Sequence, residues 1–130
     1  MTTYTGPEIQ IQRSADALKA HLSDFSNFEA LFPDSVTYFK VYDEGFTFQL
    51  GQLPKVALKR EASEDPDRLV LGSAGGTVDF RLIAHFNSLG DEACRVCLTV
   101  EGDFNPMIRM MLEKPLNQLL TDLSDGLSKL

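Results

Sequence analysis

The sequence predicts an α+β domain. An antiparallel sheet of about six to seven strands packs on one long C-terminal helix, in the order strand, two short helices, five to six strands, helix. Three observations carry this. From Val36 to Val100 apolar and polar residues alternate with a period of two, as half-buried strands do. The connections there are too short for a parallel crossover, which needs a dozen or more residues, so neighbouring strands are antiparallel. From Asn105 onward the leucines recur at helical spacing instead. At 130 residues the chain reads as a single domain, residues 1–130, long enough to bury roughly two-thirds of the surface its unfolded chain exposes.

In the first strand, Pro7 to Arg13, Ile9 and Ile11 alternate with polar residues. Ser14 then offers a hydroxyl to a free amide of a first helical turn, and Leu18, Leu22 and Phe25 form the apolar stripe of that helix. Ser26 followed by Glu29 fits the capping box of a second helix. Phe28, Leu31 and Phe32 supply its apolar face, and Pro33 ends it by pushing the preceding residue out of helical space. "VTYFKVYDEGFTFQL" is two strands around a turn at Asp43, Glu44 and Gly45. "PKVALKREA" is the next strand, "EDPD" a turn, "RLVLGSAGGTVDFRLIAHF" a hairpin around Ser73 to Gly76, and "EACRVCLTVEG" the final strand.

The long helix starts at Asn105, a cap, with Pro106 at its first position, where a missing N–H costs nothing. At about 100° per residue, Leu116, Leu119, Leu120, Leu123, Leu127 and Leu130 fall within one arc of roughly 100°, and Ile108 and Leu112 extend it. Met107, Met110 and Met111 lie on the other side. Pro115 separates the two halves, because it removes one helical hydrogen bond and opens that turn. The expectation is that the leucine stripe is core while the methionines line a cavity or its mouth, where a flexible, polarizable side chain adapts to varied ligands. Packing under the N-terminal helices, or a homodimer contact, are the alternatives.

Residues Ile11, Ser14, Ala15, Leu18, Leu22, Asp24, Phe25, Phe28 and Pro33 carry a resemblance. An apolar strand end, a small capped helix, a "Leu-x-Asp-aromatic" break, an aromatic and a proline resemble the front of the START-like or Bet v 1-like superfamily (SRPBCC), in particular its polyketide cyclase and dehydrase group. From Pro7 to Ser128 the rest matches as a succession of elements. The chain departs in having Phe32 and no tryptophan near the end of the second helix. The resemblance implies a helix-grip fold, in which a curved antiparallel sheet wraps the C-terminal helix around a lipid-sized cavity. Members bind sterols, phospholipids, quinones, polyketides and hormones, and a minority are enzymes; fold alone does not choose among these.

On that reading the cavity residues are Phe28, Phe32, Phe39, Phe48, Leu58, Arg60, Phe80, Leu82, Val96, Leu98, Met107, Met111 and Leu112. The strand faces Phe46–Phe48–Leu50, Phe80–Leu82–Ala84–Phe86 and Cys94–Val96–Leu98–Val100 would supply a dry wall. Arg60 is the charged residue whose parity places it with Val56 and Leu58. It either meets a ligand's carboxylate or phenolate or reaches water from the strand end.

Catalytic and metal chemistry is thinly represented. Cys94 and Cys97 have C-x-x-C spacing, but a separation of three within a strand puts them on opposite faces, and no second pair completes a four-ligand site. "GSAGG" lacks the Gly-Lys-Ser/Thr of a phosphate loop and fits a hairpin turn. His21 and His85 have no histidine four residues away. No metal and no cofactor is expected. The net charge of −7 argues against nucleic acid and against anionic membranes. No stretch approaches the roughly 18 apolar residues that span a bilayer, and the start shows no signal-peptide pattern, so a cytoplasmic location is expected. The expected function is non-catalytic binding or carriage of a small apolar ligand. A polyketide cyclase-type enzyme using Arg60, Tyr38, Tyr42 or a histidine, and a co-chaperone-like interaction module, are the alternatives.

Overall fold

A computed structural model describes residues 2–34, 36–51, 55–62, 65, 67–73 and 80–129. Its elements are β1 (Thr2–Ile11), α1 (Ala15–Ser23), α2 (Ser26–Glu29), β2 (Val36–Tyr42), β3 (Gly45–Leu50), β4 (Val56–Glu61), β5 (Arg68–Ser73), β6 (Phe80–Ser88), β7 (Cys94–Gly102) and α3 (Pro106–Ser128). The strands form one sheet in the order β1-β7-β6-β5-β4-β3-β2, every neighbour antiparallel. The sheet curls into a half-barrel with α3 against β1 and β7. This is the helix-grip arrangement, with seven strands. The hairpin expected around Ser73 to Gly76 falls mostly outside the described residues.

Two local expectations change. The first strand is longer than its isoleucine alternation indicates, because Tyr4 continues the inward face towards the N-terminus. The pairing with β7 shifts register between Thr5 and Glu8, where Pro7 has no N–H to donate to a ladder. The capping box at Ser26 does not form. Ser26 instead donates through its amide and hydroxyl to Asp24 Oδ1, at 3.2 and 2.6 Å, so the aspartate turns the chain between α1 and a single-turn α2. The other caps are as expected. Ser14 Oγ accepts from Ala17 N at 3.1 Å, and Asn105 Oδ1 from Ile108 N at 2.9 Å.

One apolar cluster joins α1, α2, α3 and the inner face of the sheet. The leucine stripe of α3 is buried from Leu112 to Leu127, and the helix continues through Pro115. The outer face is not uniformly polar. Val70, Ile83 and Thr99 align across β5, β6 and β7 and are all buried there, beneath the flanking side chains of Glu61, Arg68, Arg81 and Glu101, which border a depression of about 350 Å3.

Candidate functional site

Register fixes what faces α3. One inner row runs Tyr4, Val100, Leu82, Leu71, Arg60 across β1, β7, β6, β5 and β4. Another brings Leu98 beside Ala84 and Leu69. All the aliphatic members are buried. Period-two alternation on antiparallel strands is what gathers them, since every second residue of each strand points the same way.

The two ends of this trough differ. Thr2 and Phe80 both pair with Gly102, so the start of β1, the start of β6 and the entry into α3 share one end. The β2–β3 turn, the exit of β6 and the exit of β1 into α1 share the other. That second end is closed by aromatic packing. Phe46 is fully buried, and its ring lies 5.1 Å from Phe28, 5.1 Å from Phe39, 5.7 Å from Phe32 and 6.0 Å from Phe25. Phe32 and Phe48 are 5.0 Å apart. Of the expected cavity residues, Phe28, Phe32, Phe39 and Phe48 therefore belong to a ring cluster packed on itself. Phe80, Leu82, Val96, Leu98, Leu58 and Leu112 are buried on the inner side.

At the first end Phe104 sits between Phe80 and Tyr4, with ring centroids 6.5 and 6.4 Å away. The Tyr4 hydroxyl is buried and has no hydrogen-bond partner among the described residues, and the same is true of the Ser124 hydroxyl on α3. Burial raises the Tyr4 phenol above its usual value, Glu113 adds to this and Arg109 opposes it. Tyr4 thus stays a neutral phenol, able to donate or accept. Its alternation with Thr3 and Thr5 is visible in the sequence, but no motif marks its ring as the polar end of an apolar row.

One sequence expectation is corrected, and Arg60 takes the second of its two expected places. Met107 and Met111 do not line the interior: Met107 is 80% exposed, Met110 81% and Met111 51%. With Leu112 and Leu116 turned towards the sheet, the opposite side of α3 meets solvent, because the sheet wraps only one side of the helix. Arg60 has the inner parity but ends its row at the strand end, where it is exposed beside Lys19 of α1 and lines, with Arg68 and Glu61, a depression of about 250 Å3. Its long side chain reaches water, as such side chains do at an apolar border.

The remaining polar candidates do not converge. Cys94 is buried and Cys97 half-buried on the opposite face, both as free thiols. His85 is exposed on the outer face, His21 lies on α1, and Tyr42 is half-exposed at the β2–β3 turn. Among the described residues no group of three His, Cys, Asp or Glu side chains is placed to hold a metal ion, and no helix is long and apolar enough to cross a membrane.

The sequence matches no family model and no curated protein. Solved structures do share the fold. Norcoclaurine synthase from Thalictrum flavum, in complex with dopamine and hydroxybenzaldehyde, superposes with a TM-score of 0.71 at 17% identity over 98% of this chain and 86% of that one. A START superfamily protein from Mycobacterium smegmatis gives 0.68 at 12% identity over 98% and 94%. The protein XoxI from Bacillus cereus gives 0.74 at 9% identity over 99% and 94%.

Proposed function

On its START/Bet v 1-like helix-grip fold, we propose that the chain binds and carries a small apolar ligand, of lipid, quinone or polyketide kind, without turning it over. The ligand would lie between the first half of α3 and the inner row Val100, Leu82, Leu71, with Phe80, Leu98 and Leu112 around it. The observation that carries this reading is the Tyr4 hydroxyl. It is a buried polar atom without a partner among the described residues, at the end of an apolar row, and such an atom is costly unless something hydrogen-bonds to it. An apolar molecule with one carbonyl or hydroxyl would satisfy it. Support comes from norcoclaurine synthase, which shares the fold and whose solved structure is a complex with dopamine and hydroxybenzaldehyde, two small aromatic molecules.

Carriage is favoured over catalysis by the scatter of polar groups. Acid–base chemistry needs at least two converging on one site, and Arg60, Tyr38, Tyr42, His21 and His85 lie at separate places on the surface or its margin. Two free thiols fit a reducing cytoplasm.

The test is native mass spectrometry of protein purified from its own host, followed by displacement of an apolar fluorescent probe. A retained apolar molecule, or probe uptake that Leu82→Trp weakens while the fold is kept, supports the proposal. A chain that retains nothing and takes up no probe overturns it.

A further inference from the structure

We propose that Met107, Met110 and Met111 form a surface site for a soft monovalent metal ion, Cu(I), held by three thioethers. Three of the chain's four methionines fall within five residues, at positions i, i+3 and i+4 of the first turns of α3. Side chains at those separations are neighbours on a helix surface, with Cβ atoms about 5–6 Å apart. The flexible methionine side chain then lets three sulfurs converge on one ion.

Packing makes little use of these side chains. They are 80, 81 and 51% exposed, whereas Leu112, next in sequence, is 7% exposed. As cavity or core residues they would be covered. As a mere apolar patch they would be a liability that polar residues avoid. What distinguishes methionine from leucine or isoleucine here is its sulfur. A thioether carries no charge and no proton, binds hard cations poorly, and belongs to the soft donors that select Cu(I). The turn that presents the sulfurs is fixed in advance. Asn105 caps it through Ile108 N at 2.9 Å and Pro106 occupies its first position. The net charge of −7 raises the local concentration of any cation.

Binding as Cu(I) transfers no electron, and Ag(I) is a redox-inert probe of the same donor set. The competing soft ligand is Cys97, a half-buried thiol on the outer face of β7, so the experiment uses the full chain carrying Cys97→Ser. Ag(I) in chloride-free buffer is titrated while the methionine methyl resonances are followed by NMR. The expected result is one ion per chain, with the three α3 methyl signals shifting together and saturating at one equivalent. Met107→Leu, Met110→Leu and Met111→Leu each weaken binding, and the triple substitution abolishes it without changing the thermal midpoint. Leucine keeps the apolar surface and removes only sulfur, so a site that is merely apolar survives the change and a thioether site does not. Unmoved methyl signals, or silver binding that persists in the triple variant, overturns the proposal.

Discussion

Arg81 Nε donates to Glu61 Oε2 at 2.9 Å on the outer face of the sheet, and the carboxylate that accepts lies over Gly72. A Cβ at position 72 would meet the Glu61 carboxyl, while a Cβ at Gly45 would meet the backbone of Leu58 and Lys59. The two glycines therefore sit under obstacles of different kinds, one a movable side chain and the other a neighbouring strand.

Gly72→Ala is expected to displace Glu61 and break its pair with Arg81. Both partners are substantially exposed, and such pairs contribute about 0.2–1 kcal/mol. The backbone entropy that alanine recovers is of similar size, so the net change is near zero. Gly45→Ala must move β3 away from β4 and costs about 2–3 kcal/mol. Urea melts of the two variants check this, and equal midpoints would contradict the assignment.

Phe46 touches five other phenylalanine rings and is fully buried. Phe46→Ala is expected to cost about 3–5 kcal/mol, as large-to-small changes in a packed core do. Phe46→Leu keeps most of the volume and loses the ring contacts, for about 1–2 kcal/mol. If these rings close the far end of the trough, Phe46→Leu lowers the unfolding midpoint and leaves apolar-probe affinity unchanged. A loss of probe binding at constant stability would instead place the ligand among the rings.

The contrast between Phe46 and Met107 shows what the sequence could carry. Alternation in "GFTFQL" put Phe46 and Phe48 on one face, and that face is buried, because period two is a local property of the strand. Helical angles likewise put the methionines opposite the leucine stripe. What lay on that side was not local. It depended on how far the sheet curls around α3, which is set by pairing between β1 and β7, elements some 90 residues apart. The buried outer row of Val70, Ile83 and Thr99 was written in the sequence as the unbroken apolar runs "LVL" and "LIA". Such runs mark strands covered on both faces, but strict alternation was the stronger local pattern. Nothing local marks Tyr4 as a polar end either, since its ring neighbour Phe104 lies 100 residues further along the chain.

His85 lies opposite Arg68 on β5 and Cys97 on β7. Burial lowers its imidazole below the usual value and Arg68 adds to this, while Asp65 and Glu101 pull the other way. A folded value below the unfolded one means that the unfolded chain binds the proton more readily. The contribution to stability is present above the unfolded value of about 6.5 and is lost as pH falls through the folded one. Arg68→Ala is expected to raise the His85 value, read from its ring-proton NMR titration, and to weaken the acid-side loss. An unchanged titration would mean that Arg68 does not face the ring.

Leu112 and Met111 are adjacent on α3 and have opposite fates, one 7% and the other 51% exposed. Leu112→Ala should cost about 2–5 kcal/mol, because its side chain is buried in the apolar cluster and the surrounding structure closes the space it leaves only in part. Met111→Gln and Met107→Gln should each change stability by no more than about 0.5 kcal/mol, as surface substitutions do. Pro115 sharpens the comparison. It removes the bond that would tie residue 115 to the carbonyl of Met111, so the first half of α3 is held by the Asn105 cap and by buried Leu112 and Leu116 rather than by the outward side chains. Denaturant midpoints that fell equally for Leu112→Ala and Met111→Gln would show the methionine to be packed, and the orientation of the first half of α3 would have to be redrawn.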